Sequence, residues 1–286
     1  MTDQPGKTSP LSASGPDGGM VTVDGNDFRV TVLGCGGSLG VPLVGGHWGK
    51  CDPANPRNRR RRPSILVEAP GGTVLVDTGP DLRAQLLDAG TQRLDAILFT
   101  HDHADHVHGI DDIRPFIFGS RKPIPAYADD PTRASLSQRF GYVVDGVEMN
   151  RGFYHPLIQL SPVPATLTLA GIPIRSFRQA HGHGQSVGYR FGDWFAYSTD
   201  VSDLDDIAFE ALKGVAVWIV DATRDRPHIS HAHVDKTLGW IERLGPQQAY
   251  LTHMNHELDY DALRDRLPTG VAPAHDGLVL TRPPAV

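Results

Sequence analysis

Cysteine is scarce in this chain of 286 residues, which has only Cys35 and Cys51. Two thiols cannot build the disulfide framework of a small secreted domain or the cysteine-rich shell of a closed zinc site. Long apolar runs are also lacking, because no stretch of about 18 apolar residues occurs. The first residues, MTDQPGKTSPLSASGPDGG, lack the apolar core of a signal peptide. The sequence therefore predicts a cytoplasmic protein with reduced cysteines and no membrane segment.

An excess of positive charge is absent as well. The net charge is −6, and the contents of 40% hydrophobic and 21% charged residues are ordinary for a globular protein. Long nucleic acid and membranes are therefore not expected as partners. Basic side chains do cluster at Arg57 and at 59–62, where a guanidinium could bind a small phosphate bidentately. The run could equally be a solvated surface, and Arg62 is the candidate for substrate binding.

The distribution of apolar residues predicts an α/β protein. Residues 1–26, rich in Gly, Ser, Pro and Asp, predict a disordered tail, and residues 27–286 predict a single domain. Strands are predicted at 28–33, 64–69, 73–76, 94–99, 126–128, 173–177, 186–191, 193–198, 215–221, 248–252 and near 278–286. Helices are predicted at 81–89, 130–140, 234–244 and from about 204. Residues 115–119 are predicted to be loop, and 142–169 irregular strands and a loop overhanging the site.

The stretch LDAILFTHDHADHVHGIDDI holds the densest chemistry in the chain. It places His101, His103, Asp105 and His106 within six positions, directly after an apolar strand. Imidazole and carboxylate groups are typical ligands of divalent metals in open, catalytic sites. The side chains of His101 and His103 can point to the same side of an extended segment. Those of Asp105 and His106 follow one step later, at the start of the next helix. The four therefore split into two pairs, and each pair needs partners from elsewhere.

The same stretch could be a polar helix start, with Asp102 or Asp105 as the N-cap. Three histidines and an aspartate at this spacing rarely arise from capping alone. The motif H-x-H-x-D-H after a strand resembles the signature of the metallo-β-lactamase superfamily. That resemblance implies an αββα sandwich, in which two mixed sheets are flanked by helices and the metals lie at the strand ends.

Partners for the two pairs follow later predicted strands. His181 and His183 follow residues 173–177, and Asp200 and His253 follow two other strands. The residues alone leave the choice between the first two histidines open. They also leave open whether Asp200 is a metal ligand, or whether Asp200 or Asp203 is the N-cap of the helix that follows. The resemblance implies His181 and Asp200 as ligands, and a carboxylate can bridge two metals.

The complete site implied by the resemblance contains two divalent cations, zinc or manganese, with iron as a further option. One cation takes His101, His103 and His181, the other takes Asp105, His106 and His253, and Asp200 bridges them. Because both would hold the metals, Asp105 and Asp200 count among the predicted catalytic residues. Asp77, at the end of a predicted strand, is either a turn-former or a partner that orients a metal-binding histidine. The resemblance favours the orienting role.

A second histidine cluster, His228, His231 and His233, precedes the helix predicted at 234–244. A helix N-terminus attracts anions, so the cluster suits a substrate phosphate as well as a proton donor. His231 is predicted to bind the substrate and protonate its leaving group. His228 is the second candidate for the donor and a predicted substrate contact.

Five further segments narrow the resemblance: LGCGGSLGVP, NRRRRPS, QAHG, YSTDV and THMNHELDY. Together they resemble the phosphodiesterase branch of the superfamily, and most of all the PhnP-type cyclic phosphodiesterases of phosphonate catabolism, which open phosphoribosyl 1,2-cyclic phosphate. This implies a small phosphorylated substrate and a homodimer. That family also holds a structural zinc with three cysteines and a histidine. Here the corresponding residues are Cys51, His47 and His256, so no structural zinc is expected.

Two alternatives share the same metal motif. A tRNA 3′-processing endonuclease has the same ligands and glycine loop, but would need a basic arm that is not apparent here. A metal-binding accessory protein of cofactor biosynthesis could use the same fold without hydrolysis.

Overall fold

A computed structural model describes residues 28–149 and 152–282. The strands in this part are β1 (Arg29–Gly34), β2 (Ser64–Ala69), β3 (Gly72–Val76), β4 (Ala96–Leu98), β5 (Ile124–Ala128), β6 (Val147–Met149), β7 (Gly152–Tyr154), β8 (Ile158–Pro162), β9 (Thr166–Leu169), β10 (Ile172–His181), β11 (Gly184–Phe191), β12 (Phe195–Ser198), β13 (Val217–Asp221), β14 (Gln248–Thr252), β15 (Val271–Pro273) and β16 (Val279–Thr281).

The α-helices are α1 (Leu82–Asp88), α2 (Ala104–Val107), α3 (Asp130–Arg139), α4 (Gly141–Val144), α5 (Asp206–Leu212), α6 (Val234–Leu244) and α7 (Tyr260–Arg264). Two 3-10 helices span Pro56–Asn58 and Ile110–Ile117. Within 28–149 and 152–282, none of these helices has the length and apolarity to cross a lipid bilayer.

The strands form two mixed sheets of seven strands and one small hairpin. The first sheet runs β16-β1-β2-β3-β4-β5-β8, and the second runs β15-β14-β13-β12-β11-β10-β9. Strands β3, β4, β5 and β8 are parallel, as are β12 to β15, while the other neighbours are antiparallel. The predicted fold class, two mixed sheets flanked by helices, is confirmed.

The first sheet is buried on both faces. Val74 and Val76 of β3 join an apolar cluster shared with the second sheet, whereas Leu75 between them joins a cluster with Leu82 of α1. Successive side chains of a strand point to opposite faces, so one strand supplies two layers. Tyr189 of the second sheet donates a hydrogen bond across the sandwich to the Phe99 carbonyl, at 2.6 Å. The helices therefore cover the outer face and the sheets cover each other.

Several predictions of elements are confirmed and others are wrong. The helix at 234–244 is confirmed, and Gly245 ends it in the left-handed conformation with φ of 65°. Residues 115–119 are not simply loop, because the 3-10 helix Ile110–Ile117 covers most of them. Residues 142–169 contain α4 and four strands; β8 pairs with β5, and β9 pairs with β10. Both are edge strands, where a proline such as Pro162 costs no ladder hydrogen bond.

Two predictions about the chain as a whole are not decided by these elements. The disordered tail predicted for residues 1–26 lies outside the described residues. The single domain predicted for 27–286 stays a prediction. Helix α7 and strand β15, both short, were not expected from the sequence.

The parallel strands bring their carboxyl ends to one edge of the sandwich. Asp77 follows β3, His101 lies shortly after β4, Asp200 follows β12, Asp221 ends β13 and His253 follows β14. Ligand sites in α/β proteins form where such strand ends meet their loops. The fold therefore gathers the candidate residues from distant parts of the sequence.

The double burial of the first sheet predicts a large effect of one truncation. Leu75→Ala removes a fully buried side chain, and we expect it to lower the free energy of unfolding by about 2–5 kcal/mol. Leu87→Ala in α1 is the matched control, because Leu87 is 64% exposed, and its effect should stay within about 0.5 kcal/mol. Urea unfolding measures both. Equal effects would contradict the packing of helices on this face.

Candidate metal centre

A first group of potential metal ligands combines the start of the central motif with the end of β10. His101, His103, His181 and Asp200 each offer an atom, and these atoms lie within 4.8 Å of one another. Asp200 Oδ2 is 3.7 Å from Nε2 of His101 and 3.7 Å from Nε2 of His181. His103 is exposed at the cleft, whereas the other three are buried.

A second group lies on the other side of the same aspartate. Asp105, His106, Asp200 and His253 again offer atoms within 4.8 Å of one another, and all four are buried. Asp200 Oδ1 is 3.1 Å from Nε2 of His106 and 3.3 Å from Nε2 of His253. Asp105 Oδ2 is 3.4 and 3.5 Å from the same two nitrogens. The two oxygens of Asp200 therefore face two different groups.

The ligand atoms fit a cation better than they fit one another. In the described part of the chain, Nε2 of His101, His106 and His253 and Oδ2 of Asp105 are buried without a hydrogen-bond partner. Buried polar atoms are normally paired, and an unpaired one costs about 1–3 kcal/mol. Four such atoms converging on two points, all of them imidazole nitrogen or carboxylate oxygen, suit a divalent cation in each group.

The electrostatics of the centre lead to the same conclusion. Burial favours neutral imidazole, but the carboxylates of Asp200, Asp105 and Asp221 together outweigh it and raise the pKa of His253 to about 9. The pKa of His106 is likewise held above its ordinary value, mainly by Asp200, Asp105 and Asp77 against the effect of burial. Without a cation, protonated imidazoles balance the buried carboxylates. A divalent cation would supply that positive charge instead.

Hydrogen bonds on the far side of the imidazole rings fix their orientation. Asp77 Oδ2 accepts a hydrogen bond from Nδ1 of His106 at 2.7 Å, and Asp77 also accepts from the backbone and hydroxyl of Thr100 at 2.8 and 2.7 Å. His181 Nδ1 donates to the carbonyl of Ser230 at 2.7 Å. With the proton on Nδ1, each Nε2 presents its lone pair to the cleft, as a metal ligand requires.

Asp221 was missed by the sequence analysis. Its Oδ2 accepts from Nδ1 of His231 at 2.8 Å and from the Val201 amide at 3.0 Å, and its Oδ1 accepts from the Thr223 hydroxyl at 3.0 Å. The ring of His231 stacks on that of His253, with centroids 4.6 Å apart. The sequence does contain a signal for this role, because Asp221 is an ionisable residue that directly follows the apolar run VAVWIV. Such a residue, fully buried here, needs a polar partner.

Three residues of the centre adopt left-handed backbone conformations. Asp77, Asp200 and His253 have φ of 65°, 52° and 59°, and they are three of the five non-glycine residues with positive φ in the described ranges. This conformation is uncommon for residues with a side chain and concentrates at functional sites. Each of the three follows a strand.

Other predicted residues lie beside the two groups or away from them. His228 stacks on His231, with ring centroids 5.3 Å apart. Arg62 forms an ion pair with Asp81 at 2.9 Å, so its guanidinium is already partnered. His183 is exposed and belongs to neither group.

The helix caps differ from the alternatives left open by the sequence. His103, not Asp102 or Asp105, is the N-cap of α2, and its side chain makes no capping hydrogen bond. Helix α5 is capped by Asp205, which accepts a hydrogen bond from the Ala208 amide at 2.8 Å. Neither Asp200 nor Asp203 is the N-cap of that helix.

In the described residues, hydrogen bonds rather than a group of metal ligands hold the loop between β1 and β2. Cys51 Sγ donates to the carbonyl of Leu258 at 3.4 Å and lies 3.8 Å from Nη1 of Arg60. Arg60 is 2% exposed, and its Nη1 donates to the carbonyl of Asn255 at 3.1 Å. Across the described residues, His47, Cys51 and His256 are not among the groups that could hold a metal.

Comparison with known families identifies this arrangement. The model of the beta-lactamase superfamily domain matches residues 72–254, which include both ligand groups. The chain belongs to the beta-lactamase superfamily. Its fold is shared with a diphosphatase from the PhnP family and with human tRNase Z. The family resemblance stated from the sequence is confirmed.

Individual relatives differ in how much of the chain they match. A diphosphatase from the PhnP family is similar in structure, with a TM-score of 0.80 and 36% identity over 90% of this chain and 97% of that one. An octanoyltransferase of Porphyromonas gingivalis is 31% identical over 88% of the chain, which spans only 51% of that protein. A ribonuclease Z of Bradyrhizobium sp. is 51% identical over 57 residues, 19% of each protein.

The two ligand groups predict that His181, the last residue of β10, holds a metal and that His183 does not. His181→Ala should leave the protein with about one divalent cation fewer per chain, because it removes a ligand from the first group. His183→Ala is the matched control and should retain the full content. Metal content after dialysis, measured by plasma mass spectrometry, distinguishes the two. A loss in His183→Ala equal to that in His181→Ala would contradict the assignment.

Proposed function

We propose that the protein is a two-metal phosphodiesterase that opens a small cyclic phosphodiester, such as phosphoribosyl 1,2-cyclic phosphate. The observation that carries the proposal is the position of Asp200. Its Oδ1 faces His106 and His253, and its Oδ2 faces His101 and His181. A carboxylate shared in this way is typical of sites where two cations lie about 3.5–4 Å apart.

The proposed ligands divide between the two cations as the groups do. One cation would be held by His101, His103 and His181, the other by Asp105, His106 and His253, and both by Asp200. When bound, two divalent cations supply positive charge that activates water and neutralises phosphate oxygens. Imidazole and carboxylate donors suit zinc and manganese, and also iron. Asp105 Oδ2, which lacks a hydrogen-bond partner among the described residues, would be the ligand atom that Asp105 offers to the second cation.

His231 is the proposed proton donor to the leaving oxygen. Asp221 accepts the hydrogen bond from its Nδ1 at 2.8 Å, which leaves Nε2 as the atom that holds the transferable proton. The carboxylate also holds the ring in one orientation during transfer. Because the ring lies 5.0 Å from that of His181 and 4.6 Å from that of His253, it sits over both ligand groups. The proton is therefore delivered where the phosphate would be held.

The small size of the proposed substrate is supported by charge and by likeness. The net charge of −6 gives no general attraction for a long polyanion. The similarity to a PhnP-family diphosphatase extends over nearly the whole of that protein. Arg62 remains a candidate phosphate contact, although its ion pair with Asp81 would have to be shared. A homodimer remains an expectation from the family.

A tRNA 3′-processing endonuclease is the second candidate. The observation that favours it is the 51% identity to a ribonuclease Z, which is confined to 57 residues. The negative net charge weighs against it, because phosphate contacts supply most of the affinity for RNA and DNA. Cleavage of a precursor tRNA by the pure protein would favour this candidate. A bound redox-active iron without phosphodiester hydrolysis would favour the accessory protein.

Loss of the shared carboxylate tests the proposed function. Asp200→Ala should lower kcat for bis(p-nitrophenyl) phosphate and for ribose 1,2-cyclic phosphate by about 10²-fold or more, since both cations lose a ligand. Zinc and manganese are supplied separately. Asp203→Ala is the matched control, because that side chain is 66% exposed and should leave hydrolysis intact. Hydrolysis unchanged in Asp200→Ala would overturn the assignment.

The role of His231 predicts a dependence on the leaving group. His231→Asn should lower kcat/KM for a poor alcohol leaving group by about 10²–10⁴-fold, because that oxygen must be protonated. The loss should be much smaller for p-nitrophenolate, which leaves without a proton. Asp221→Asn should act in the same direction, since it removes the acceptor that orients the ring. Equal losses for both leaving groups would show that His231 is not the donor.

A further inference from the structure

Arg139, the last residue of α3, reaches the segment that carries the first predicted metal ligands. Its Nη1 donates a hydrogen bond to the backbone carbonyl of Asp102 at 2.6 Å and lies 3.5 Å from Asp102 Oδ2. Its Nη2 donates to Nε2 of His108 at 2.6 Å. Asp102 lies between the ligands His101 and His103, and His108 directly follows α2. One guanidinium therefore ties together the chain segments on the two sides of α2.

His103 is the ligand with the weakest support of its own. In the described residues, hydrogen bonds on the side away from the cleft hold the rings of His101, His106, His181 and His253, through Thr100, Asp77, the Ser230 carbonyl and Thr223 respectively. Nδ1 of His103 instead lies 3.2 Å from Nε2 of His181, on the cleft side. Within 28–149 and 152–282, Nε2 of His103 has no hydrogen-bond partner. Apart from contacts with fellow ligands, its position therefore depends on its backbone.

The nitrogen that His103 directs at the first ligand group is close to the main chain. Nδ1 is bonded to Cγ, next to Cβ, whereas Nε2 lies at the far tip of the ring. A shift of the backbone therefore moves Nδ1 almost as far. The backbone here is the start of α2, which has four residues, and an isolated helix of that length is unstable. The side chain of His103 makes no capping hydrogen bond to it. The contact from Arg139 to Asp102 supplies the missing support.

The second ligand group is anchored without Arg139. The carbonyl of His106 accepts a hydrogen bond from the Thr78 amide at 2.7 Å, and its ring donates to Asp77 at 2.7 Å. The carbonyl of Asp105 packs so closely on Gly79 that a Cβ built there would lie 2.3 Å from it. These anchors follow β3 and do not belong to α3. The first group can therefore be loosened while the second keeps its geometry.

We propose that Arg139 is a positioning residue, which places His103 against the first cation by holding Asp102 from outside the cleft. The inference rests on the two-cation centre of the proposed function and not on its substrate. Helix α3 is itself fixed, because Leu136 is fully buried and Asp129 caps the helix by accepting from the Thr132 amide at 3.0 Å. Arg139 thus transmits the position of α3 to the ligand segment, through hydrogen bonds strengthened by its charge.

Stepwise removal of zinc from the loaded protein with a competing chelator tests the proposal. Arg139→Met keeps an extended side chain without donors, and it should weaken the binding of one zinc ion by about 10-fold or more while the other is unchanged. Arg139→Lys keeps one donor for Asp102 and should recover part of the affinity. Arg133→Met is the matched control, because Arg133 lies on the same helix, has a side chain 34% exposed against 32%, and pairs with Asp130. It should bind zinc as wild type does.

A second substitution identifies the affected ion and shows whether His103 transmits the effect. His103→Ala removes a ligand of the first cation directly. If Arg139 acts through this histidine, adding Arg139→Met to His103→Ala should weaken zinc binding no further. A general structural role would give losses that add. Thermal unfolding of the metal-free variants checks that each is folded.

The outcomes separate this proposal from the function on which it rests. Zinc binding unchanged in Arg139→Met, equal weakening of both ions, or additive losses with His103→Ala would overturn the role of Arg139 while the two-cation centre stands. A wild type that holds a single zinc ion would overturn the centre and this assignment together. Because no substrate is used, a failure to hydrolyse any phosphodiester would overturn the proposed function and leave the result on Arg139 intact.

Discussion

The whole centre depends on keeping a charged carboxylate inside the protein. Asp200 is 1% exposed, and removing a carboxylate from water costs several kcal/mol unless opposite charge and hydrogen bonds compensate. His106 and His253 face one of its oxygens, and His101 and His181 face the other. This requirement explains why four strand ends and one turn must converge. It also explains why the histidines cannot be spread along a surface.

Two further buried carboxylates support the rings from outside, one from each sheet. Asp77 follows β3 of the first sheet and accepts hydrogen bonds from His106 and Thr100. Asp221 ends β13 of the second sheet and accepts from His231 and Thr223. In both cases an aspartate at a strand end accepts one hydrogen bond from an imidazole and another from a threonine hydroxyl. The two halves of the sandwich thus use the same arrangement to fix ring orientation.

The sequence revealed the chemistry of the centre more readily than its surroundings. The motif from His101 to His106 is dense and follows a strand, so local spacing alone indicated two pairs of ligands. The order of the strands depends on contacts between distant segments, and β8 and β9 are adjacent in sequence yet belong to different sheets. No local pattern specifies that. Asp221 was missed because it continues an apolar run, and its hydrogen bond to His231 becomes visible only when β13 meets the following loop.

The loop after β1 illustrates how a segment can be held by an organic cation. Arg60 is buried and joins Cys51, Asn58 and the carbonyl of Asn255 through its two terminal nitrogens. A guanidinium keeps its charge at any physiological pH and is inert to oxidants and chelators. The charge that holds this loop is therefore part of the chain itself. Unlike a bound ion, it is in place as soon as the chain has folded.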